Sequence, residues 1–368
     1  MEDRKLQERA REAVGHFDLP GEPGIPCPWG SGHINDTYLV EGEHRYILQR
    51  MNRKIFTKPL EVMENIIGVT SFLKEKIKKA GGDEMRETMT VIYTKDHEPA
   101  YRDEHGDFWR MYYMIEDAVS YDQVESEQDF YESALAFGNF QQLLSDYPAE
   151  TLHVTIPGFH DTKARYEVFQ HAVKQDICGR AKDVEEEICF YLKRKETAEY
   201  LGSLLAEGQL PLRVTHNDTK LNNIMMDKKT GKGICVIDLD TVMPGLAAHD
   251  FGDAIRFGAS TGAEDEKDLS KISCDMHLFE LYTRGFLKGC QGSLTKMEQM
   301  LLPMGAKVMT YECGMRFLTD YLQGDTYFKI HREGQNLDRC RTQMKLVADM
   351  EDKWQEMERI VQECHSLL

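Results

Sequence analysis

The chain has 368 residues, 41% hydrophobic and 29% charged, enough for two domains with their own cores; no run approaches the roughly 20 apolar residues of a membrane helix. The charged start, Met1-Glu-Asp-Arg-Lys5, lacks the apolar core of a secretion signal, and nine cysteines without a Cys-x-x-Cys pair point to free thiols in a reducing cytoplasm. A formal net charge of −18 argues against nucleic-acid binding, which needs a basic footprint, and disfavours a polyanionic substrate relative to a neutral or cationic one.

Residues 2–17 carry a helical pattern, interrupted by Gly21-Glu-Pro-Gly-Ile-Pro-Cys-Pro28. A glycine-rich turn, Gly30-Ser31-Gly32, comes next. The runs 37–40 and 46–49, around Glu41-Gly42-Glu43, predict a β-hairpin. Residues 58–79 space Leu60, Met63, Ile66, Ile67 and Leu73 as an amphipathic helix. Two more strands are expected at 90–94 and 108–115, the second running into Glu116-Asp117. From residue 126 the texture turns helical, with segments at 130–144, 165–176 and 184–207. A short apolar strand at 234–237 breaks it before helical patterns return. The chain is thus expected to be α+β, with a small antiparallel-sheet domain, residues 1–117, ahead of a larger, mainly helical domain, residues 118–368.

The densest chemistry lies in His216-Asn-Asp218-Thr-Lys220-Leu-Asn222-Asn223, followed by Ile234-Cys-Val-Ile-Asp238-Leu-Asp240. A His-x-Asp-x-x-x-x-Asn loop ahead of an apolar strand ending in Asp is a phosphoryl-transfer pattern. That chemistry needs one carboxylate beside the attacking hydroxyl and oxygen donors for Mg2+ on the ATP phosphates. Asp218 is the candidate base or hydroxyl-orienting group. Asn223 and Asp238 have the spacing and the hard-oxygen chemistry of Mg2+ ligands. Lys220 either offsets charge on the moving phosphate or lies solvated. His216 is expected to pack beneath the loop, Asn222 to serve the loop's own backbone, and Asp240 to assist from behind or begin the next turn. Asp250-Phe251-Gly252 spells a kinase metal motif but follows a loop and not a buried strand. Asp250 therefore reads as an N-cap or brace for a helix over 251–257.

Ahead of the hairpin, Gly30, Ser31, Gly32 and Asn35 lie where a phosphate-cradling loop belongs, although an ordinary turn explains the glycines equally. Arg50 closes the next strand and offers a forked cation to phosphate oxygens, with Glu64 as its expected ion-pair partner. The junction that contains Met114 and Glu116 would offer backbone hydrogen bonds to adenine.

These motifs resemble the aminoglycoside phosphotransferase and choline kinase superfamily. Longer blocks resemble more closely the N-acetylhexosamine 1-kinases, over about residues 29 to 350. They are Gly32-His-Ile-Asn-Asp-Thr37, Leu48-Gln-Arg-Met-Asn52, Thr215-His-Asn-Asp-Thr-Lys-Leu-Asn-Asn223, Ile237-Asp-Leu-Asp-Thr-Val-Met-Pro-Gly245, Asp250-Phe-Gly-Asp-Ala-Ile-Arg256 and Glu312-Cys-Gly-Met-Arg-Phe-Leu-Thr-Asp-Tyr-Leu322. The resemblance implies a bilobal protein-kinase-like fold and ATP- and Mg2+-dependent phosphorylation of the anomeric hydroxyl of N-acetylglucosamine or N-acetylgalactosamine. It implies Asp218 as base, Asn223 and Asp238 as metal residues, and His33, Asp218, Arg316 and Tyr327 as sugar contacts. Arg316 and Tyr327 fit a helix and the loop after it; by themselves they equally fit a surface ion pair and a core aromatic. Two rivals stand beside this. One is a kinase of the same fold acting on an amino alcohol, an aminoglycoside or another sugar. The other is a catalytically silent nucleotide-binding scaffold, against which the retained base and metal residues argue.

Overall fold

A computed structural model describes residues 2–30, 34–121 and 126–367. The chain divides into two compact units. One comprises Met1–Ser120, Asp146–Pro157 and Asn223–Pro244; the other comprises Tyr121–Ser145, Gly158–Asn222 and Gly245–Leu368.

In the first unit, helix α1 (Glu2–Val14) packs on a sheet formed by β1 (Cys27–Pro28), β2 (Asp36–Glu41), β3 (Arg45–Arg50), β4 (Val91–Ile92), β5 (Tyr101–Arg102) and β6 (Phe108–Tyr113). The order is β1-β2-β3-β6-β4, with β5 also on β6, and each of these pairings is antiparallel. The β2–β3 hairpin runs in register from Asp36 opposite Arg50 to Glu41 opposite Arg45, around the predicted Gly42 turn. Pleating sends alternate residues to opposite faces. Tyr46, Leu48, Trp109 and Met111 meet Ala10, Ala13, Val14 and Phe17 in the core of this unit. Helix α2 (Pro59–Lys79) follows the hairpin, its proline seated in the first turn where no N–H is missed. Strand β7 (Ala118–Val119) joins Ile224–Asp227 and Gly233–Val236 in a second antiparallel sheet.

The second unit is mainly helical: α3 (Glu127–Leu143), α4 (Thr162–Gln175), α5 (Glu185–Leu192), α6 (Lys195–Ala206), α7 (Ala247–Gly258), α8 (Met276–Cys290), α9 (Lys296–Met300), α10 (Leu302–Leu322), α11 (Gln335–Asp352) and α12 (Trp354–Ser366). The α+β class expected from the sequence is the one observed. Two details differ. The 184–207 pattern is split between α5 and α6 at Lys193-Arg194, where the Arg194 guanidinium grips Glu351 (2.7 and 3.0 Å) and lies over the Phe190 ring. Glu187, in an acidic run that by composition alone would face solvent, is buried against Arg341 at 2.6 Å.

Glycines set the closest helix crossings. A Cβ at Gly138 on α3 would collide with the carbonyl oxygen of Phe286 on α8, and one at Gly289 would meet that of Leu135. Gly252 on α7 and Gly305 on α10 allow the same approach. No described helix is long and apolar enough to cross a membrane. Gly138→Ala is expected to lower stability by about 2–3 kcal/mol through overpacking, read as a lower midpoint in urea titration; an unchanged midpoint would mean that α3 and α8 reseat without cost.

Candidate active site

In the second unit, the strand Arg213–Thr215 leads into the loop that carries Asp218. His216 is fully buried, edge-on to the rings of Phe137 and Phe140 (centroids 5.5 and 6.2 Å apart). Its Nδ1 accepts the Asp218 N–H at 3.2 Å, the packing role expected for it. Asn217 is left-handed (φ 66°), a conformation that Asn tolerates better than most residues. The N–H groups of His216 and Asn217 both donate to the Asp250 carboxylate, at 2.9 and 2.8 Å, and Gln141 Nε2 donates to it at 2.9 Å. Thr219 donates its hydroxyl to the Asp250 carbonyl (2.6 Å) and its N–H to Asp253 Oδ2 (3.1 Å). Asp250 and Asp253 are about one turn apart on α7, so both face the loop.

Asp250 is therefore a brace, as expected, but not an N-cap. The helix begins at Ala247, earlier than the expected 251, its N-cap is Leu246, and Asp250 lies inside the first turn. Burial raises the pKa of its carboxyl despite the donors around it. Lys220 Nζ sits 2.7 Å from Asp218 Oδ1. Burial pulls the Lys220 pKa down, but the charges of Asp218 and Asp253 outweigh it, so the pKa is raised and the ammonium stays charged. The Asn222 side-chain oxygen is buried and accepts no hydrogen bond, so it does not serve the loop backbone as expected.

Behind this loop lies a cluster that no short motif announced. His160 Nε2 is 3.4 Å from the Asn217 carbonyl and its Nδ1 is 3.2 Å from Glu312 Oε1, while Thr162 donates to Glu312 Oε2 at 2.6 Å. Burial opposes charge on His160, but Glu312 outweighs it and raises the pKa. Burial likewise opposes charge on Glu312, yet His160 and Thr162 bring its pKa down to about 2. His249, its ring centroid 5.3 Å from that of His160, goes the other way, to about 3, through burial and the neighbouring cation. Arg316 follows one turn after Glu312 on α10. Its guanidinium reaches the Tyr327 hydroxyl at 3.4 Å and lies 5.7 Å from that ring's centre, and Tyr327, 70% exposed, sits in the loop after the helix. Arg165 on α4 has a buried Nε without a hydrogen-bond partner. Its pKa is lowered by burial and by the charge of Arg316.

The candidate metal residues come together in the first unit. Ile224 pairs with Val236 in the hairpin, and one step outward the Ile237 N–H donates to the Asn223 carbonyl at 2.9 Å. Asn223 and Asp238 thus share the same hairpin end. Asp238 is left-handed (φ 58°, ψ 55°), a conformation costing of order 1–3 kcal/mol that persists where surroundings enforce it. Asp240, two residues on, is held by Asn35 Nδ2 on Oδ2 (2.7 Å) and by an ion pair from the buried Arg110. Among the described residues no group of three or more His, Cys, Asp or Glu side chains is assembled for a metal. Asn223 and Asp238 nevertheless suit Mg2+, which takes one or two protein oxygens and completes its shell with phosphate and water.

Other expected positions face elsewhere. Arg50 lies on the α1 face of the sheet, where it holds Asp36 at 2.6 Å and shares Asp107 with Arg9. Glu64 points to His153 (2.6 Å), and no Arg50–Glu64 pair forms. One position on, which is about 100° around the helix, Asn65 faces inward and donates to the carbonyls of Val242 (3.0 Å) and His153 (2.9 Å). The Met114 N–H donates to the Arg45 carbonyl at 2.8 Å. The Glu116 side chain pairs with Arg45, and its carbonyl takes Arg86 at 3.1 Å, so these junction groups are engaged within the unit. Gly30 is left-handed (φ 78°), as a glycine turn requires; Ser31, Gly32 and His33 lie outside the described residues. Arg110 carried a usable signal, because a lone cation in the apolar strand Phe108-Trp-Arg-Met-Tyr-Tyr113 must find a buried partner.

Residues 27–274 match the phosphotransferase enzyme family. The chain belongs to that family. Similar solved structures include the microcompartment-associated aminopropanol kinase (16% identity, TM-score 0.57, covering 95% of this chain and 98% of that one). Choline kinase from Cryptosporidium parvum Iowa II is 13% identical (TM-score 0.57, 96% of each chain). An aminoglycoside phosphotransferase from Alicyclobacillus acidocaldarius subsp. acidocaldarius DSM 446 is 11% identical (TM-score 0.56, 97% of this chain and 96% of that one). At these identities the likeness establishes the fold, the kinase-like α+β type expected from the sequence.

Asp250→Ala strands the buried N–H groups of His216 and Asn217, and about 1–3 kcal/mol per donor should be lost in urea titration. A variant that melts normally yet fails to bind Mg2+ would return Asp250 to the metal site. The His160–Glu312 pair sets a pH window. A raised His160 pKa gives stability that is full below its ordinary 6.5 and is lost as pH rises through the folded value; the lowered Glu312 pKa gives stability that is full above 4.5 and is lost as pH falls through about 2. The Tm deficit of His160→Gln should therefore be largest between about pH 4.5 and 6.5 and narrow toward pH 9; a pH-independent deficit would deny the charge on His160.

Proposed function

We propose that this chain is a kinase that transfers the γ-phosphate of ATP to the anomeric C1 hydroxyl of N-acetylglucosamine or N-acetylgalactosamine, giving the sugar 1-phosphate. Family membership supports phosphoryl transfer, and one observation favours a neutral acceptor. Around the Asp218 loop the acids are already matched: Glu312 with His160 and Thr162, Asp253 with Arg256 and the Thr219 N–H. Arg165 and Arg316 then set the local sign, beside the Tyr327 hydroxyl and ring. A cationic acceptor such as choline or an aminoglycoside would enter against two guanidinium groups. A neutral sugar brings hydroxyl and acyl oxygens that accept from them, including from the buried Arg165 Nε.

Asp218 orients the C1 hydroxyl and takes its proton as the oxygen attacks the γ-phosphorus; the bond to the bridging oxygen breaks and ADP leaves. Lys220, held by Asp218, offsets charge on the phosphate in transit. Asn223 and Asp238 would hold Mg2+, which when bound would neutralise charge on the phosphate oxygens. Residues 1–117 bind the nucleotide, with the stretch of Gly30, Ser31 and Gly32, which Asn35 follows, as the phosphate-binding segment. Residues 118–368 carry the base, the metal residues and the acceptor contacts His160, Arg165, Arg316 and Tyr327, and His33 keeps the sugar-contact role that the resemblance implies.

Phosphorus and proton NMR of the products from each acetylated sugar, run beside choline, ethanolamine and aminoglycosides, tests the assignment. Phosphate on C1 is expected. Phosphate on another carbon, or turnover of the cationic compounds alone, would overturn it. Asp218→Asn should retain its Tm and lose about 10³-fold or more in kcat; a tenth of wild-type rate would remove Asp218 from the mechanism.

A further inference from the structure

The turn that follows Asp238 is a single 3-10 segment, Leu239–Thr241, and a turn this short cannot by itself aim a carboxylate. Three side chains of the first unit clamp it. Asn65 on α2 donates to the Val242 carbonyl at 3.0 Å, Asn35 donates to Asp240 Oδ2 at 2.7 Å, and Arg110 forms an ion pair with Asp240 Oδ1. Asp240 is thereby held by a hydrogen bond at Oδ2 and by ion-pair contact alone at Oδ1, so it steadies the turn that carries Asp238.

Arg110 is the costliest part of this arrangement. It is 1% exposed and sits on the sheet face opposite α1. Its Nε and Nη2 both donate to Gln49 Oε1, at 3.0 and 2.8 Å. Gln49 Nε2 in turn donates to the Thr37 hydroxyl at 3.1 Å, and the Tyr112 ring lies 5.3 Å from the guanidinium. A buried ion pair of this kind is usually no better for stability than two apolar side chains of similar volume, because desolvation consumes most of the attraction. Its geometry serves a different end: it fixes one oxygen of Asp240 while Asn35, which closely follows the glycine stretch, fixes the other. Asn35 is itself anchored, its Oδ1 accepting the Asn52 N–H at 2.9 Å.

We infer that Arg110 is a positioning residue for the metal-holding turn: with Asn35 it locks Asp240, so that Asp238 presents its carboxylate to Mg2+ and the turn is tied to the segment proposed to cradle the nucleotide phosphates. This rests on the proposed metal role of Asp238, and the test separates the two. Mn2+ binding in the presence of saturating ADP is measured by electron paramagnetic resonance on the full-length protein. The double variant Arg110→Met with Asp240→Met removes both buried charges at once, so neither is stranded, and its Tm is expected near or above that of the wild type. Its Mn2+ affinity should fall by about tenfold or more, the scale of lost support behind a metal ligand. Wild-type affinity in that variant, with Asp238→Asn abolishing binding, would overturn the role of Arg110 alone. Wild-type affinity in Asp238→Asn would instead overturn the metal reading on which it rests. Should the double variant fail to fold, Asn35→Ala removes only the second clamp and is expected to weaken Mn2+ binding about fivefold; unchanged affinity there would equally defeat the inference.

Discussion

The Asp250 carboxylate lies where water does not reach it and accepts hydrogen bonds from the His216 and Asn217 N–H groups and from Gln141. A carboxylate withdrawn from water is tolerable only when protein donors replace its hydration. The loop that carries Asp218 supplies that replacement, and in exchange its backbone is pinned residue by residue. The left-handed Asn217 persists because neighbours on both sides enforce it. Gln141 comes from α3, which reaches its place through the glycine crossing with α8, so helix packing bears directly on the loop.

Around this loop and at the hairpin end, acids are matched to cations one by one: Asp218 with Lys220, Asp253 with Arg256, Glu312 with His160, Asp240 with Arg110. Among the described residues no carboxylate lies within ion-pair distance of Arg165 or Arg316. A chain with net charge −18 therefore keeps these two guanidinium groups without an ion-pair partner, near one another and near Tyr327. Overall charge acts over Debye-length distances and shapes encounter, whereas the preference of a partly buried site depends on which charges remain unmatched within a few ångströms.

Much of the site was legible because its spacing is local. The run from His216 to Asn223 and the strand ending at Asp238 are short chain segments whose backbone brings the residues together, and the Ile237–Asn223 hydrogen bond is a consequence of that hairpin. Arg316 on a helix and Tyr327 in the loop after it followed from the same kind of reading. His160, His249 and Arg165 were not legible, since they lie on a connecting segment, on α7 and on α4, and only the fold gathers them around Glu312, with His160 reaching the Asn217 carbonyl.

The sequence by itself determined the family, the order and type of the main elements, and the local course of the loop that carries the candidate residue Asp218, because periodicity, turn chemistry and contiguous motifs are properties of neighbouring residues. Only the tertiary structure decided which way individual side chains point. A strand alternates with period 2 and a helix repeats every 3.6 residues, but the pattern does not say which partner each face will meet. Hence Arg50 turned to Asp36 and Asp107 while Arg110 took the place beside Asp240, and Asn65 rather than Glu64 reached the turn after Asp238. Long-range burial chooses the face, since a buried cation is tolerated only where another part of the chain brings its counter-charge.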